Sequence, residues 1–388
     1  MLLKKVSWLM LMVLVVGLLA ACAVTPAAPA PAEQPQAATV EEATAPVEEA
    51  APVEEATATE AQVEAEPVAQ APKYHFVMVS HIGTGDPNMQ WLTFAIEDFQ
   101  RRFPEVTIDY VGAVQSNIEE LVTLARQAIA TKPDGIAIPI LSSEPLDPVL
   151  REAIDAGIPV VAFNISDPRP AGERIPYLAY VGGAEEQVGI MLAKEVLKNA
   201  EAGTIPQTTG AVCADWDPSH QGLAARCKGF NETMAAANVK SETLTISQNQ
   251  ADAVSTMEAY LQGNPDVNVI FAVTAGSGPW AYAAAKDLNL SPDVDKEGVT
   301  ILCVDESPVT LEGVKEGHLL ATHSQGFYLQ GFSPFEILYW NKELGYVPFN
   351  DTLTGPILIN RDNIEKWVPF TRNIFGDVYD ELAQGQWQ

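Results

Sequence analysis

The chain has 388 residues, with 51 Asp and Glu against 22 Lys and Arg and a formal net charge of −29. A surface this acidic repels polyanions, which excludes nucleic acid and anionic lipid headgroups as natural partners. A neutral small molecule stays open as a ligand.

Residues 1–22 begin with Lys4 and Lys5, continue as an apolar run from Trp8 to Leu19, and close on Leu19-Ala20-Ala21-Cys22. A run of about twelve apolar residues has the length of a signal-peptide core and falls short of the roughly 20 that span a bilayer. The small residues before Cys22 resemble the lipobox of bacterial lipoproteins, whose cysteine is acylated and becomes the new N-terminus. Each buried methylene of such a chain contributes about 0.8 kcal/mol to anchorage. The expectation is a lipoprotein signal peptide over 1–22, lipidation of Cys22, and an extracytoplasmic protein held to the outer face of the cell membrane through lipid alone.

Residues 23–72 are almost wholly Ala, Pro, Glu, Val, Thr and Gln, with ten glutamates and no Lys, Arg or aromatic residue. Such a segment has too little apolar surface to offset its chain entropy. It reads as a disordered acidic linker, extended by proline and by like charges.

Residues 73–388 carry about −21 of the charge and are long enough for two domains. Short β-branched runs alternate there with helical stretches. "YHFVMVSH" reads as a strand, "NMQWLTFAIEDFQRRF" as a helix closed by Pro104, and "VTIDYVGA" as a strand. "NIEELVTLARQAIATK" reads as a helix with Asn117 as N-cap, followed by strand "DGIAIPI", helix "PLDPVLREAIDAG", strand "IPVVAFN", strand "LAYVGG" and helix "AEEQVGIMLAKEVLKNA". A second series follows: "TGAVCAD", "GLAARCKGFNETMAAAN", "SETLTIS", "ADAVSTMEAYLQGN", "VNVIFAVT", "GPWAYAAAKDLNL", "VTILCVDES" and "VTLEGVKEGH". Near-continuous apolar strands point to parallel sheets buried on both faces. Two βα series in succession point to two doubly wound α/β domains, with the part from "LLATHSQGF" onwards shared between them.

Ligands of such sheets bind beyond the C-terminal ends of the strands. The segments there are "SHIGTGDPNMQW", "LSSEP", "NISD", "DWDPSH", "TAGSG" and "DESP". They hold Asp, Asn, Ser, Thr, His and Trp, a mixture that suits a carbohydrate. Hydroxyls take planar polar partners, and the sugar's C–H face takes an aromatic ring.

The stretches "VSHIGTGDP", "ATKPDGIAIPI", "AIDAGIPVVAFN", "AYVGGAEEQVG", "CADWDPSHQGLAARCKGF", "VIFAV", "ILCVDESP" and "HSQGFYLQGF" follow one another over about 290 residues, from Lys73 to Asn360. In this order they resemble the type I periplasmic sugar-binding proteins of ABC importers, the ribose/galactose-binding family. The resemblance implies two domains joined by three crossovers, near Gly182, Gln325 and Pro356, with 73–182 plus 326–355 in one and 183–325 plus 356–388 in the other. It implies that Asp86, Asn164, Arg226, Thr274, Asp305 and the hinge residue Gln325 bind ligand. The first-loop aromatic positions of the family are Asn88 and Met89 here, so stacking falls to Trp91 on that side and to Trp216 in the second-domain loop. His81, Asn88, Ser142 and Ser277 complete the expected set. It further implies a monomer that closes on a monosaccharide and presents it to permease subunits, without catalysis or cofactor.

Cys213 and Cys227, at a strand end and in the next helix, are expected to pair as a disulfide, leaving Cys303 as a buried thiol. The sequence lacks the full G-x-G-x-x-G of a dinucleotide site, a G-x-S-x-G elbow, and any pair of its five histidines at metal spacing. The acidic groups, the arginine and the tryptophans favour a hexose such as D-glucose. A sensory protein for a sugar-like signal or a nucleoside is the alternative.

Overall fold

The computed structural model describes residues 72–83, 86–114, 116–290, 293–294, 298–384 and 387. The expected signal peptide, Cys22 and nearly all of the acidic linker lie outside the described residues.

The first βα series runs β1 (Tyr74–Ser80), α1 (Met89–Arg102), β2 (Val106–Gly112), α2 (Ile118–Ala130), β3 (Gly135–Ile138), α3 (Ser143–Asp155), β4 (Val160–Asn164), β5 (Tyr180–Gly183) and α4 (Glu185–Glu201). The second runs β6 (Gly210–Asp215), α5 (Gln221–Ala236), β7 (Lys240–Thr245), α6 (Gln250–Gly263), β8 (Val269–Ala272), α7 (Ser277–Asp287), β9 (Thr300–Leu302), α8 (Pro308–Glu316) and β10 (Ala321–Ser324). The chain ends with α9 (Phe327–Leu344), β11 (Thr352–Gly355), β12 (Ile357–Asn360), α10 (Ile364–Phe375) and α11 (Val378–Ala383).

The strands form two six-stranded sheets, β11-β5-β4-β3-β1-β2 in a first lobe and β12-β10-β9-β8-β6-β7 in a second. All pairings are parallel except β10 with β12. The fold class is therefore the expected one, two doubly wound α/β units. The chain passes between the sheets three times, after Gly183, after Ser324 and at the cis Gly355-Pro356 bond.

The central strands are buried throughout, as their apolar sequences require: β3, β4, β6 and β8 expose nothing. β7 departs from that pattern. Its "KSETLT" is largely exposed because it is an edge strand with a solvated face. Helix starts follow their caps. The Asn117 side chain accepts the Glu120 N–H at α2, and α8 starts with Ser307 as cap and Pro308 in its first turn and stops at Gly317 in the left-handed region. That α8 cap fixes the loop holding Asp305 and Glu306.

α4 and α5 lie unusually close. A Cβ on Gly189 would sit 2.0 Å from the Arg226 carbonyl oxygen, and one on Gly229 would sit 2.1 Å from that of Glu186. Only glycine at both positions lets the helices approach this far. The approach brings Arg226 of α5 against Glu185 of α4.

Candidate functional site

The C-terminal ends of the strands in both sheets converge on one cavity of about 390 Å³. The first lobe contributes His81, Asp86, Asn88 and Asn164, the second contributes Trp216, Arg226, Thr274 and Asp305, and Gln325 enters from a crossing between them. Nine residues expected from the sequence thus meet in one place.

A hydrogen-bonded chain spans the lobes. Asn88 Nδ2 donates to Asp305 Oδ2 at 3.0 Å, Gln325 Nε2 donates to Asp305 Oδ1 at 2.5 Å, and Asn164 Nδ2 donates to Gln325 Oε1 at 3.1 Å. The next residue, Glu306, holds the crossing itself: its carboxylate accepts the backbone N–H groups of Gln325 and Phe327 at 2.9 and 3.0 Å. Asn164 and Asp305 both have left-handed backbones, with φ of +59° and +74°. Few side chains accept that conformation, and Asn and Asp accept it best.

Arg226 is buried with Glu185, Nε to Oε2 at 2.5 Å, and its Nη1 donates to the Val273 carbonyl at 2.8 Å. Burial works against the Arg226 charge, but Glu185 and Asp305 outweigh it and hold the guanidinium ionised. Burial raises Asp305 above the ordinary carboxylate range, with Arg226 opposing. Burial lifts Asp86 to about 7, the Asn88 N–H opposing it and the Asp305 charge adding to it.

His81 faces His220 across the cleft, ring centroids 5.7 Å apart. Burial pushes both down to about 3, helped at His81 by His220 and at both by Arg226, so both rings are neutral at neutral pH. His220 Nδ1 accepts the N–H groups of Gly222 and Leu223 as the N-cap of α5. Its proton therefore sits on Nε2, a donor of fixed position.

Three expected site residues lie elsewhere. Trp91 does not line the cavity. It is buried on α1 against Phe370 and Phe375 of α10, because a tryptophan one turn into an amphipathic helix faces the core. Ser142 only precedes α3 and makes no side-chain cap bond. Ser277 is buried below the site, its Oγ 2.9 Å from Thr274 Oγ1, and so positions Thr274.

The sequence reading also missed residues. Trp280, hidden in the helical run "GPWAYAAAK", lines the cavity beside Trp216 with ring centroids 5.6 Å apart. His220 closes the strand-end segment "DWDPSH", and its place on the cavity wall as the cap of α5 comes from the fold. Gln221 joins the lobes: its backbone N–H donates to the Leu141 carbonyl at 3.0 Å, its Nε2 donates to the carbonyls of Ile140 and Ser166, and its Oε1 accepts from Ser143 Oγ at 3.2 Å. Nothing local in "SHQGLAA" distinguishes that glutamine, since its partners are about 80 and 55 residues away.

Cys213 of β6 and Cys227 of α5 form a disulfide, Cα atoms 5.5 Å apart, beside Arg226, and Cys303 is a buried free thiol. The site thus offers fixed donors, fixed acceptors and a two-tryptophan wall, groups that hold hydroxyls on one side and C–H surface on the other.

A family of periplasmic binding protein domains matches residues 80–341. The chain belongs to that family. Among curated relatives, the xylose/arabinose-binding protein XylF of Sulfolobus acidocaldarius is 24% identical over 313 residues, covering 79% of this chain and 75% of that protein. A carbohydrate transporter from Acidothermus cellulolyticus, solved in complex with myo-inositol, superposes with a TM-score of 0.67 at 22% identity over 78% of this chain and 99% of the other. AraP, an arabinose-binding protein from Geobacillus stearothermophilus, does so with a TM-score of 0.61 at 26% identity over 76% and 99%. Periplasmic binding protein domains of this type I fold have two such lobes, and here the strand ends of both line one cavity.

Proposed function

We propose that this protein captures a neutral monosaccharide between its lobes and delivers it to the permease of an ABC importer. The observation that carries this reading is the chain Asn88–Asp305–Gln325–Asn164, which with Arg226 and the Trp216–Trp280 pair surrounds a cavity of about 390 Å³. That volume is at the small end of ligand sites, which run from about 300 Å³ upward. The relatives named for xylose and arabinose, and the structure holding myo-inositol, fall in the same chemical class. Within it we place a sugar in its six-membered-ring form, with a hexose such as D-glucose first. The two tryptophan rings beside the polar groups support a ring with a continuous C–H side. The domain boundaries inferred from the sequence, the acylation of Cys22, the extracytoplasmic location and the monomeric state belong to the same proposal.

A thermal-shift screen against D-glucose, D-galactose, D-xylose, L-arabinose, D-ribose, myo-inositol, nucleosides and amino acids tests it. A sugar present at a thousand times its Kd adds about 4 kcal/mol, several degrees in Tm. A shift with a nucleoside or amino acid and with no sugar would overturn the reading.

A further inference from the structure

Seven of the eleven large apolar side chains that stand exposed among the described residues fall between positions 340 and 357. Six of them, Trp340, Leu344, Tyr346, Val347, Phe349 and Leu353, follow one another from the last turn of α9 into β11. Phe349 is 97% exposed and Leu344 75%. Scattered exposed apolar residues need no explanation, but a run of this size on an acidic protein does.

The run is held in place. Gly345 ends α9 in the left-handed region, the Tyr346 N–H donates to the Trp340 carbonyl, and Asn341 Nδ2 donates to the Tyr346 carbonyl at 2.9 Å. At the far side, Asp351 Oδ1 accepts the Tyr180 N–H at 2.8 Å. Lys342 pairs with Asp134, just before β3. These contacts put the run at the N-terminal edge of the first sheet, the pole opposite the ligand cavity.

The same pole receives the start of the fold. Lys73 pairs with Glu343, and Tyr74 packs edge-on against Tyr339, both partners on the last turns of α9. The chain that leads back to Cys22 therefore joins the fold beside Trp340 and Leu344.

We infer that this pole of the first lobe docks on the surface of the lipid bilayer to which the chain is anchored. The inference rests on the Cys22 anchorage proposed above. Aromatic and leucine side chains with polar neighbours suit the headgroup–acyl boundary. The acylated cysteine holds the chain at the bilayer by itself, so the patch sets how the fold lies on the surface rather than whether it stays there. The covalent link turns docking into an intramolecular event, so a weak patch is enough. Lys73 and Lys342 are both answered by carboxylates, and the fold is acidic. The surface therefore fits zwitterionic lipid, and anionic headgroups weaken it.

The test uses the lipidated chain in phosphatidylcholine vesicles, with Phe349→Cys carrying an environment-sensitive dye. Cys22 is then acylated, Cys213 and Cys227 are bonded and Cys303 is buried, so the label enters at one place. Val378→Cys, exposed on the second lobe, is the control. The expected result is co-flotation, a blue shift at position 349 and its quenching by brominated acyl chains, with no change at 378. A floating chain whose dye stays in water at 349 overturns the docking and leaves the anchor intact. A chain that does not float overturns both. A shift at 349 that needs no vesicles and grows with protein concentration overturns it in favour of self-association.

Discussion

Asn164 and Asp305 hold the same place in the two lobes. Asn164 ends β4, third from the β11 edge of the first sheet, and Asp305 follows β9, third from the β12 edge of the second. Both take the left-handed conformation, and Gln325 bonds to both. The same backbone conformation at matching strand ends turns both side chains onto the one glutamine at the floor of the cleft.

Asp305→Asn keeps the left-handed backbone and removes the charge. Charge-assisted bonds contribute about 1.5–3 kcal/mol. The expected outcome is a ten- to hundredfold loss of sugar affinity by calorimetry, with a lower Tm in the unliganded protein as well, because the new amide NH2 faces the Asn88 or Gln325 amide donor and Arg226 loses part of its countercharge. Unchanged affinity would show that Asp305 does not contact the ligand.

Gln221→Ala removes three side-chain hydrogen bonds between the lobes without touching the cavity lining. The closed form loses population, and apparent affinity falls by the same factor. We expect about tenfold weaker binding and a larger radius of gyration in solution scattering without ligand. Wild-type values for both would mean that those bonds do not bias closure.

Replacing Cys213 and Cys227 together by serine opens a crosslink spanning 14 positions, which the loop-entropy model values at about 3 kcal/mol. A Tm lower by about 5–10 °C is expected, at a few degrees per kcal/mol. Affinity should fall as well, since the crosslink braces the helix of Arg226. A Tm loss with full affinity would make the disulfide purely structural.

His323 of β10 is wholly buried with neither ring nitrogen bonded, and burial, with Arg226 adding, pushes it down to about 3. The unfolded chain takes up that proton near 6.5 and the fold refuses it until about 3. Stability from this group is thus full above 6.5 and is lost as pH falls, by about 1.4 kcal/mol per unit. In urea melts, His323→Leu should gain about 2–3 kcal/mol relative to wild type between pH 7 and pH 4.5. A pH-independent difference would mean that the ring titrates normally.

The strand and helix order was readable because apolar runs, caps and glycine stops are local signals, as Asn117 and Gly317 illustrate. The strand-end rule points to the segments that hold Asp86, Asn164 and Asp305, and the family resemblance singles out those residues together with Gln325; the fold brings all four to one cavity. Trp91 misled because an aromatic next to a binding loop has the same local sequence whether it turns inward or outward. Packing against Phe370 and Phe375, about 280 residues away, decides which. Trp280 was hidden by helical periodicity, and Gln221 by partners that only the fold brings near.

The crossing at Gly355-Pro356 also governs how the protein can be made. β11 completes the first sheet and β12 the second, and they stand side by side near the end of the chain. Thr352 must find Val181, and Ile357 must find Ser324. Neither sheet is a contiguous piece of sequence; the first is not whole until residue 355 has emerged, and the second not until residue 360. A chain threaded outward across a membrane therefore travels without either lobe finished, and a truncation before β11 leaves both sheets with an open edge.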